Sequence, residues 1–493
     1  MSSADPLVLA IDQGTSGTTC LLITPTGEVR ARAYRSVPVR YPGDGWVEQD
    51  AADLWGSVLS ACEEVLDGVG APLTLGITNQ RETLVVFDRS TLDAVAPAIV
   101  WQCRRSAGIC DQHRDRGEEP EVRRRTGLLL DPYFTATKLE WLFRDRPDLV
   151  APARRGELCA STVDAWLIAR LTRGAVIATD ASNASRTLLY DLHTGGFAAD
   201  LCDLFNVPIA ALPEIRDSAG PFGVTDPKAF LGLRIPITGV AGDQQAALFG
   251  QACLSPGMSK NTYGTGSFVL VNAGADPVDP GPGLLTTVAW RLSGSDTFAL
   301  EGSIFVTGAG LAWLRDGLGL IANVDEAGPL FDSVPNSNGC HFIPALSGLG
   351  APWWDPAARG ALLGLTAGVT RAHVVRAVIE AMAFRTRDVV EAMEAAAGLR
   401  LNELRVDGGA SVLDGLCQFQ ADLLGIPVAR AATAETTATG AGLLAALGEG
   451  MFTDPGAVAA QWRGGTRFVP AVRGARPAAP YQEWLRALAR VRS

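Results

Sequence analysis

The sequence predicts an α/β protein of two similar domains that face each other across a cleft. Three observations carry this. At 493 residues the chain is too long for one ordinary core. A strand that ends in a single acid beside glycines occurs in both halves, in "LVLAIDQGTSGTTCLLI" (7–23), "GVAGDQQAALFG" (239–250) and "LRVDGGASV" (404–412). Between such strands the apolar residues recur at helical spacing. The boundary is expected near residue 250, giving domains 1–250 and 251–493.

Taken in order, "LVLAID" and "CLLITPTGEV" flank a Gly/Thr/Ser turn and predict two antiparallel strands. Asp50 is placed to cap a helix over "AADLWGSVLSACEEVL", with Leu54, Val58, Leu59 and Cys62 on one face. "LTLGITNQRE" and "TLVVFD" read as strands, and "STVDAWLIARLT" as a helix ending before Gly174. In the second half, "MSKNTYGTGSFVLVNAG" is a Gly/Thr turn leading into an apolar strand. "RAHVVRAVIEAMAFRTRDVVEAMEAAAG" is the longest helical pattern, capped by Thr370 and stopped at Gly398. The Pro/Gly-rich "NAGADPVDPGPG" predicts a surface loop.

Apolar residues make up 47% and charged residues 19%, the balance of a folded protein. A net charge of −11 argues against nucleic acid or an anionic membrane as the main partner. No apolar run is long enough to span a bilayer, and "MSSADP" has no leader character. Nine scattered cysteines without a C-x-x-C pair predict free thiols in a reducing cytoplasm.

Asp12 stands beside "GTSGTT". Backbone N–H groups of such a turn can converge on an oxyanion, and an acid next to them is explained by Mg²⁺ held near phosphate oxygens. An ordinary hairpin turn fits the same residues. Asp243, after glycines at a strand end and before an apolar helix, suits a general base for a hydroxyl. It equally suits a helix cap. Arg81 and Glu82 offer a donor fork and an acceptor for vicinal hydroxyls, or a structural ion pair. Trp101, Tyr133 and Phe268 can wall the carbon side of a small polar ligand, or simply fill the core. A Walker A loop is excluded because no lysine follows a glycine. The nearest G-x-G-x-x-G pattern, "GAGLLA" (440–445), follows "TAETTAT", which is no buried strand. His113, His193, His341 and His373 are too scattered for a recognisable metal motif.

Read together, "IDQGTSG", "GWVEQD", "GITNQRE", "AIVWQCRR", "TGLLLDPYF", "SNASRT", "GDQQAALFGQ", "NTYGTGSF", "LEGSIF", "GLGAPWWDP", "ARGALLGLT" and "RVDGGAS" follow one another over nearly the whole chain. This ordered set resembles the glycerol kinases of the FGGY carbohydrate kinase family. The resemblance implies two actin-like (ribonuclease H-like) domains, glycerol deep in the first and Mg-ATP between the two. It implies Arg81, Glu82, Tyr133, Asp243 and Gln244 as polar glycerol contacts, with Trp101 and Phe268 as the apolar wall. Asp243 takes the role of base and Asp12 that of the acid near Mg²⁺. Thr15, Ser16 and Gly17 form the first phosphate loop and Thr265 the second. Gly308 and Gly409 match backbone contacts to the nucleotide. A homo-oligomer, dimer or tetramer, is implied as well.

The sequence departs from that pattern where relatives contact ADP. Thr19 replaces an arginine, Ala312 a glutamine and Leu413 an asparagine, so these three positions of the nucleotide site are altered. The sugar-bisphosphate loop of some members is here "LGLR" (231–234), and no histidine lies between His193 and His341, so neither of two known family controls is expected. Competing readings are a kinase for a related polyol or dihydroxyacetone, a ligand-binding pseudokinase, and a nucleotide-switched chaperone or filament protein.

Overall fold

The computed structural model describes residues 6–492; Met1–Asp5, most of the stretch inspected for a leader, lies outside them. The first half is organised by β1 (Val8–Gln13), β2 (Gly17–Ile23), β3 (Val29–Ser36), α1 (Ala51–Leu66), β4 (Thr74–Asn79), α2 (Thr135–Asp145), α3 (Val163–Leu171) and β5 (Ile237–Gly242). Helix α4 (Asp243–Gly250) leads out of it. The second half contains β6 (Met258–Tyr263), β7 (Ser267–Gly274), β8 (Leu285–Leu292), β9 (Ser295–Ile304), α5 (Gly308–Ala312), α6 (Arg371–Ala397), β10 (Glu403–Asp407), β11 (Val428–Ala431), α7 (Thr436–Gly448) and β12 (Gly464–Phe468).

The first sheet runs β5-β4-β1-β2-β3 and the second β8-β9-β7-β6-β10-β11-β12. Each is built on an antiparallel hairpin, β1–β2 or β6–β7, with a further antiparallel strand beyond it. On the other side of each hairpin two strands add in parallel, β4 and β5 in one sheet, β10 and β11 in the other. The order β3-β2-β1-β4-β5 is therefore repeated as β9-β7-β6-β10-β11, and the expected similarity of the two halves is a shared strand plan.

Residue pattern explains the main elements. All of β2 is buried and β1 nearly so, because they lie inside the sheet with both faces covered. Edge strand β3, "VRARAYRS", alternates between buried or half-buried and exposed positions instead. Asp50 caps α1 as expected, accepting from the Ala52 N–H at 2.9 Å. Thr370 and His373 close the start of α6, and Gly398 ends it with φ 63°.

Helix α7 joins the halves. It packs on α4 and across β1, β4 and β5 of the first sheet although it belongs to the second half of the chain. The approach is too close for side chains: a Cβ on Gly440 would lie 1.9 Å from the Ala246 carbonyl oxygen, and one on Gly250 would lie 2.2 Å from that of Thr436. The "GAGLLA" pattern is thus a helix-crossing surface inside α7, not a dinucleotide loop. The same seam brings Glu435, at the start of α7, within electrostatic range of Asp12.

Candidate active site

Four charged side chains form the buried floor of the site. Arg81 and Glu82 follow β4 in a bend, two residues beyond the strand end. Glu82 has φ 60°, a left-handed conformation that costs a non-glycine residue about 1–2 kcal/mol. Its carbonyl is held by the Lys138 ammonium of α2 at 3.2 Å and the Thr135 hydroxyl at 3.3 Å. Arg186 Nε donates to Glu82 Oε1 at 2.5 Å, and Arg186 Nη2 to Glu301 Oε1 at 3.0 Å. Arg81 donates to both oxygens of Glu301, at 2.5 and 3.2 Å. The two arginines and two glutamates are all buried. Burial works against the Glu301 carboxylate, but Arg186 and Arg81 outweigh it and hold its pKa down to about 2. For Glu82 burial prevails over the same two arginines and the pKa is raised.

The Arg81 fork is therefore turned on Glu301. Its remaining neighbours are Asp243 Oδ1 and Glu82 Oε1, 3.1 and 3.8 Å from Nε, the Gln245 amide oxygen at 3.3 Å and the Tyr133 hydroxyl at 3.4 Å. Asp243 is the first residue of α4, and Gly242, not Asp243, occupies the cap position. The carboxylate is partly open, with 31% of its side chain exposed. Its Oδ1 accepts the Gln244 N–H at 2.7 Å as well as facing Arg81, whereas Oδ2 has only the Gln244 amide at 3.3 Å. Gln244 in turn accepts from the buried Lys260 ammonium at 2.5 Å. Burial lowers the Lys260 pKa to about 8 against the pull of Asp407 and Asp243.

Trp101 and Tyr133 meet edge to face, with centroids 5.5 Å apart. Phe268, on β7, belongs to a different apolar cluster that includes Ala246 and Phe249 of α4. Thr15 does not offer its hydroxyl freely: it accepts from Trp101 Nε1 at 2.8 Å and donates to Gln80 at 3.2 Å. The Thr15 and Ser16 N–H groups donate to no described residue, and Gly14 N–H closes the turn on Gly17 O at 2.9 Å. The loop thus presents backbone donors. A Cβ on Gly17 would collide with the Tyr34 ring and the Arg35 carbonyl, at 2.4–2.6 Å.

Asp12 faces the start of α7. Among the described residues no side chain donates to it. Burial, then Asp243 and Glu435, push its carboxyl up to about 8. No group of three or more potential metal ligands occurs among the described residues. A hydrated cation that takes one or two carboxylates and leaves its other positions to water and phosphate fits this donor set.

A second concavity of about 590 Å³ opens in the second half, lined by Thr265, Gly308, Ala312, Gly409 and Leu413 together with Phe331 and others. Every second-half residue expected at the nucleotide is among its lining; Thr15, Ser16 and Gly17 are not. The Thr265 turn docks on the start of α5, with Gly308 N–H donating to Gly264 O at 3.0 Å and Ala309 N–H to Thr265 O at 3.0 Å. A Cβ on Gly308 would lie 2.6 Å from the Gly264 carbonyl. Ala312 and Leu413 supply apolar surface here, as the sequence requires.

Two halves on one strand plan, a buried charge network beside a partly open carboxylate, and a nucleotide-sized cavity in the second half fit a sugar or polyol kinase of the actin-like fold. The FGGY family of carbohydrate kinases matches the chain twice, its N-terminal domain over residues 7–250 and its C-terminal domain over residues 259–449. The chain belongs to this family. It is 49% identical to the glycerol kinase of Alcanivorax borkumensis over 99% of this chain and 98% of that one. It is 50% identical to the glycerol kinase of Methylobacterium nodulans, covering 95% and 94%. Among solved structures, Plasmodium falciparum glycerol kinase with ADP superposes with a TM-score of 0.93 at 31% identity, covering 99% of this chain and 98% of that one. No helix among the described residues is long and apolar enough to cross a membrane.

Sequence reasoning missed Arg186, Glu301, Lys260 and Lys138. Arg186 sits in "SNASRT" and Glu301 in "LEGSIF", both noted as motifs without a role for the charge. An acid in an apolar strand and a lysine in a chain with only three (Lys138, Lys228, Lys260) were the available signals.

Proposed function

We propose that the protein transfers the terminal phosphoryl group of ATP to glycerol, forming sn-glycerol 3-phosphate. The observation that carries this is the unequal carboxylate of Asp243. One oxygen is fixed by Arg81 and the Gln244 N–H; the other has a single long contact and is free to take the proton of an attacking hydroxyl. Arg81 and Tyr133 orient the small polyol, Glu82 fixes the floor through Arg186, and Trp101 covers its carbon side. Phe268 closes the apolar wall when the halves approach. The backbone of Thr15 to Gly17 and the Thr265 turn hold phosphate oxygens from opposite hairpins, and Gly308 and Gly409 allow the nucleotide to lie against main chain. The first domain, 1–250, binds polyol and the second, 251–493, binds nucleotide.

Asp12 is the residue that would hold Mg²⁺, which supplies charge neutralisation on the transferred phosphate. The relatives support glycerol as substrate because their similarity runs the length of both chains. Coupled ADP release tests the reading, with three- to five-carbon polyols as acceptors and several nucleoside triphosphates as donors. Glycerol with ATP should give the highest kcat/KM; a longer polyol or dihydroxyacetone ahead of it would overturn the assignment. Asp243→Asn should still bind glycerol and lose about 10²–10⁴ in kcat, the range of a general base. Turnover near that of the wild type removes Asp243 from that role.

A further inference from the structure

Glu301 lies in the middle of β9, within the apolar run "FALEGSI", and is completely buried. Burying a carboxylate is costly unless it is paired and hydrogen-bonded. Its partners lie on the other half of the chain, more than a hundred residues away: Arg81, 220 positions distant, and Arg186, 115 positions distant. All four N–H directions of the Arg81 terminal nitrogens are engaged. Glu301 takes one on each terminal nitrogen, at 2.5 and 3.2 Å. Nε forms an ion pair with Asp243 Oδ1 at 3.1 Å, without hydrogen-bond alignment. The two that remain are long, to Gln245 at 3.3 Å and to Tyr133 at 3.4 Å. A carboxylate gripping both ends of a guanidinium fixes its plane as well as its position. With the plane fixed, the guanidinium charge is held beside the base. The two long bonds are the ones a substrate hydroxyl displaces at least cost.

We propose that Glu301 is a positioning residue for the phosphoryl transfer, reaching from the second sheet to orient Arg81 and, through Arg81, the Asp243 carboxylate. This rests on the polyol kinase reading above. It assigns Glu301 an effect on the acceptor side of the reaction alone, although its strand belongs to the half that carries the nucleotide cavity. It also makes the second sheet part of the polyol site, because the Arg81 fork is correctly aimed only while β9 is in place.

The test is steady-state kinetics on Glu301→Gln, Arg81→Gln and the double variant. Wild-type turnover is measured first, so that absence of glycerol phosphorylation counts against the proposed function and not against Glu301; the same variants are then compared on whichever polyol is turned over. Glu301→Gln keeps the shape but places an amide N–H against the Arg81 fork. It should raise the glycerol KM at least about tenfold and lower kcat about tenfold, with the ATP KM within about twofold of wild type. In the Arg81→Gln background the same change should cost less than about twofold, since the group it acts through is gone. A glycerol KM unchanged in Glu301→Gln, or losses that multiply in the double variant, overturns the proposal. If Glu301→Gln does not fold, Glu301→Asp keeps the charge with a shorter reach and should still raise the glycerol KM severalfold. A folded Glu301→Asp enzyme with wild-type glycerol kinetics overturns it equally.

Discussion

The two hairpins use one backbone plan and put their acids in different places. In the first sheet Asp12 on β1 lies opposite Thr78 of β4; in the second, Thr262 on β6 lies opposite Asp407 of β10. Acid and hydroxyl have changed strands. Their surroundings differ more. Asp407 is tied into structure: its Oδ2 accepts from Gln251 at 2.9 Å and from the Thr436 hydroxyl at the start of α7. Asp12 has no side-chain donor among the described residues, and its carboxyl is pushed up to about 8 by burial, Asp243 and Glu435. Asp407 joins two elements through the neutral donors on Oδ2, while its buried Oδ1 has no hydrogen-bond partner among the described residues. An acid left among other acids, as Asp12 is, suits the proposed role of meeting a cation. Position in a fold thus does not assign a role; the donors around the carboxylate do.

Asp12→Asn is the substitution that breaks this contrast most sharply. It should lower kcat by about 10²–10³, the scale of one lost electrostatic group in a transition state. It should also raise the Mg²⁺ concentration needed for half-maximal rate, while the folded state is at least as stable because a strained carboxyl has been neutralised. Mg²⁺ titration of the initial rate alongside a thermal melt checks both. An Asp12→Asn enzyme with an unaltered Mg²⁺ requirement places the cation elsewhere.

The mirror experiment is Asp407→Asn. Here the expected loss is in stability, about 1–2 kcal/mol for weakening charge-assisted bonds to Thr436 and Gln251. The kcat should stay within about tenfold of wild type, because the bonds of the group to Thr436 and Gln251 order the seam between α7 and β10. Denaturant unfolding and turnover on one preparation separate the two effects. If Asp407→Asn matched Asp12→Asn in kcat loss, the division of labour between the hairpins would fall.

Much of this contrast was visible in the sequence. The hairpins, their glycines, α1 with its Asp50 cap and the long α6 follow from local pattern, because a strand buried on both faces and a helix with one apolar face each leave a periodic trace. Asp12 and Asp243 stood out because each is a lone acid at the end of an apolar strand with glycine close by. The resemblance to a family then separated base from cap. Spacing could not reveal Glu301: its charge is compensated by residues far away in the chain, so only the packed fold shows the pairing. The same holds for Lys260 on Gln244. Nor could the sequence show that the Thr15 hydroxyl is occupied by Trp101 and Gln80, which leaves the loop to work through its backbone.

The smallest expected effect tests the apolar side of the second half. Leu413 and Ala312 line the cavity that also contains Thr265, Gly308 and Gly409. On the proposed reading, a nucleotide there would rely on main-chain donors, shape and apolar contact, with no side-chain amide at these two positions. Leu413→Asn exchanges apolar contact for a potential hydrogen bond worth about 0.5–1.5 kcal/mol net. The two changes nearly offset, so the ATP KM should shift by no more than about threefold, with kcat and the glycerol KM unmoved. Initial rates at varied ATP and saturating glycerol measure it. A change in the glycerol KM would mean that the cavity and the Arg81 network are coupled more tightly than their separate linings imply. Glu301, on the strand that joins the two, is then the residue through which that coupling would run.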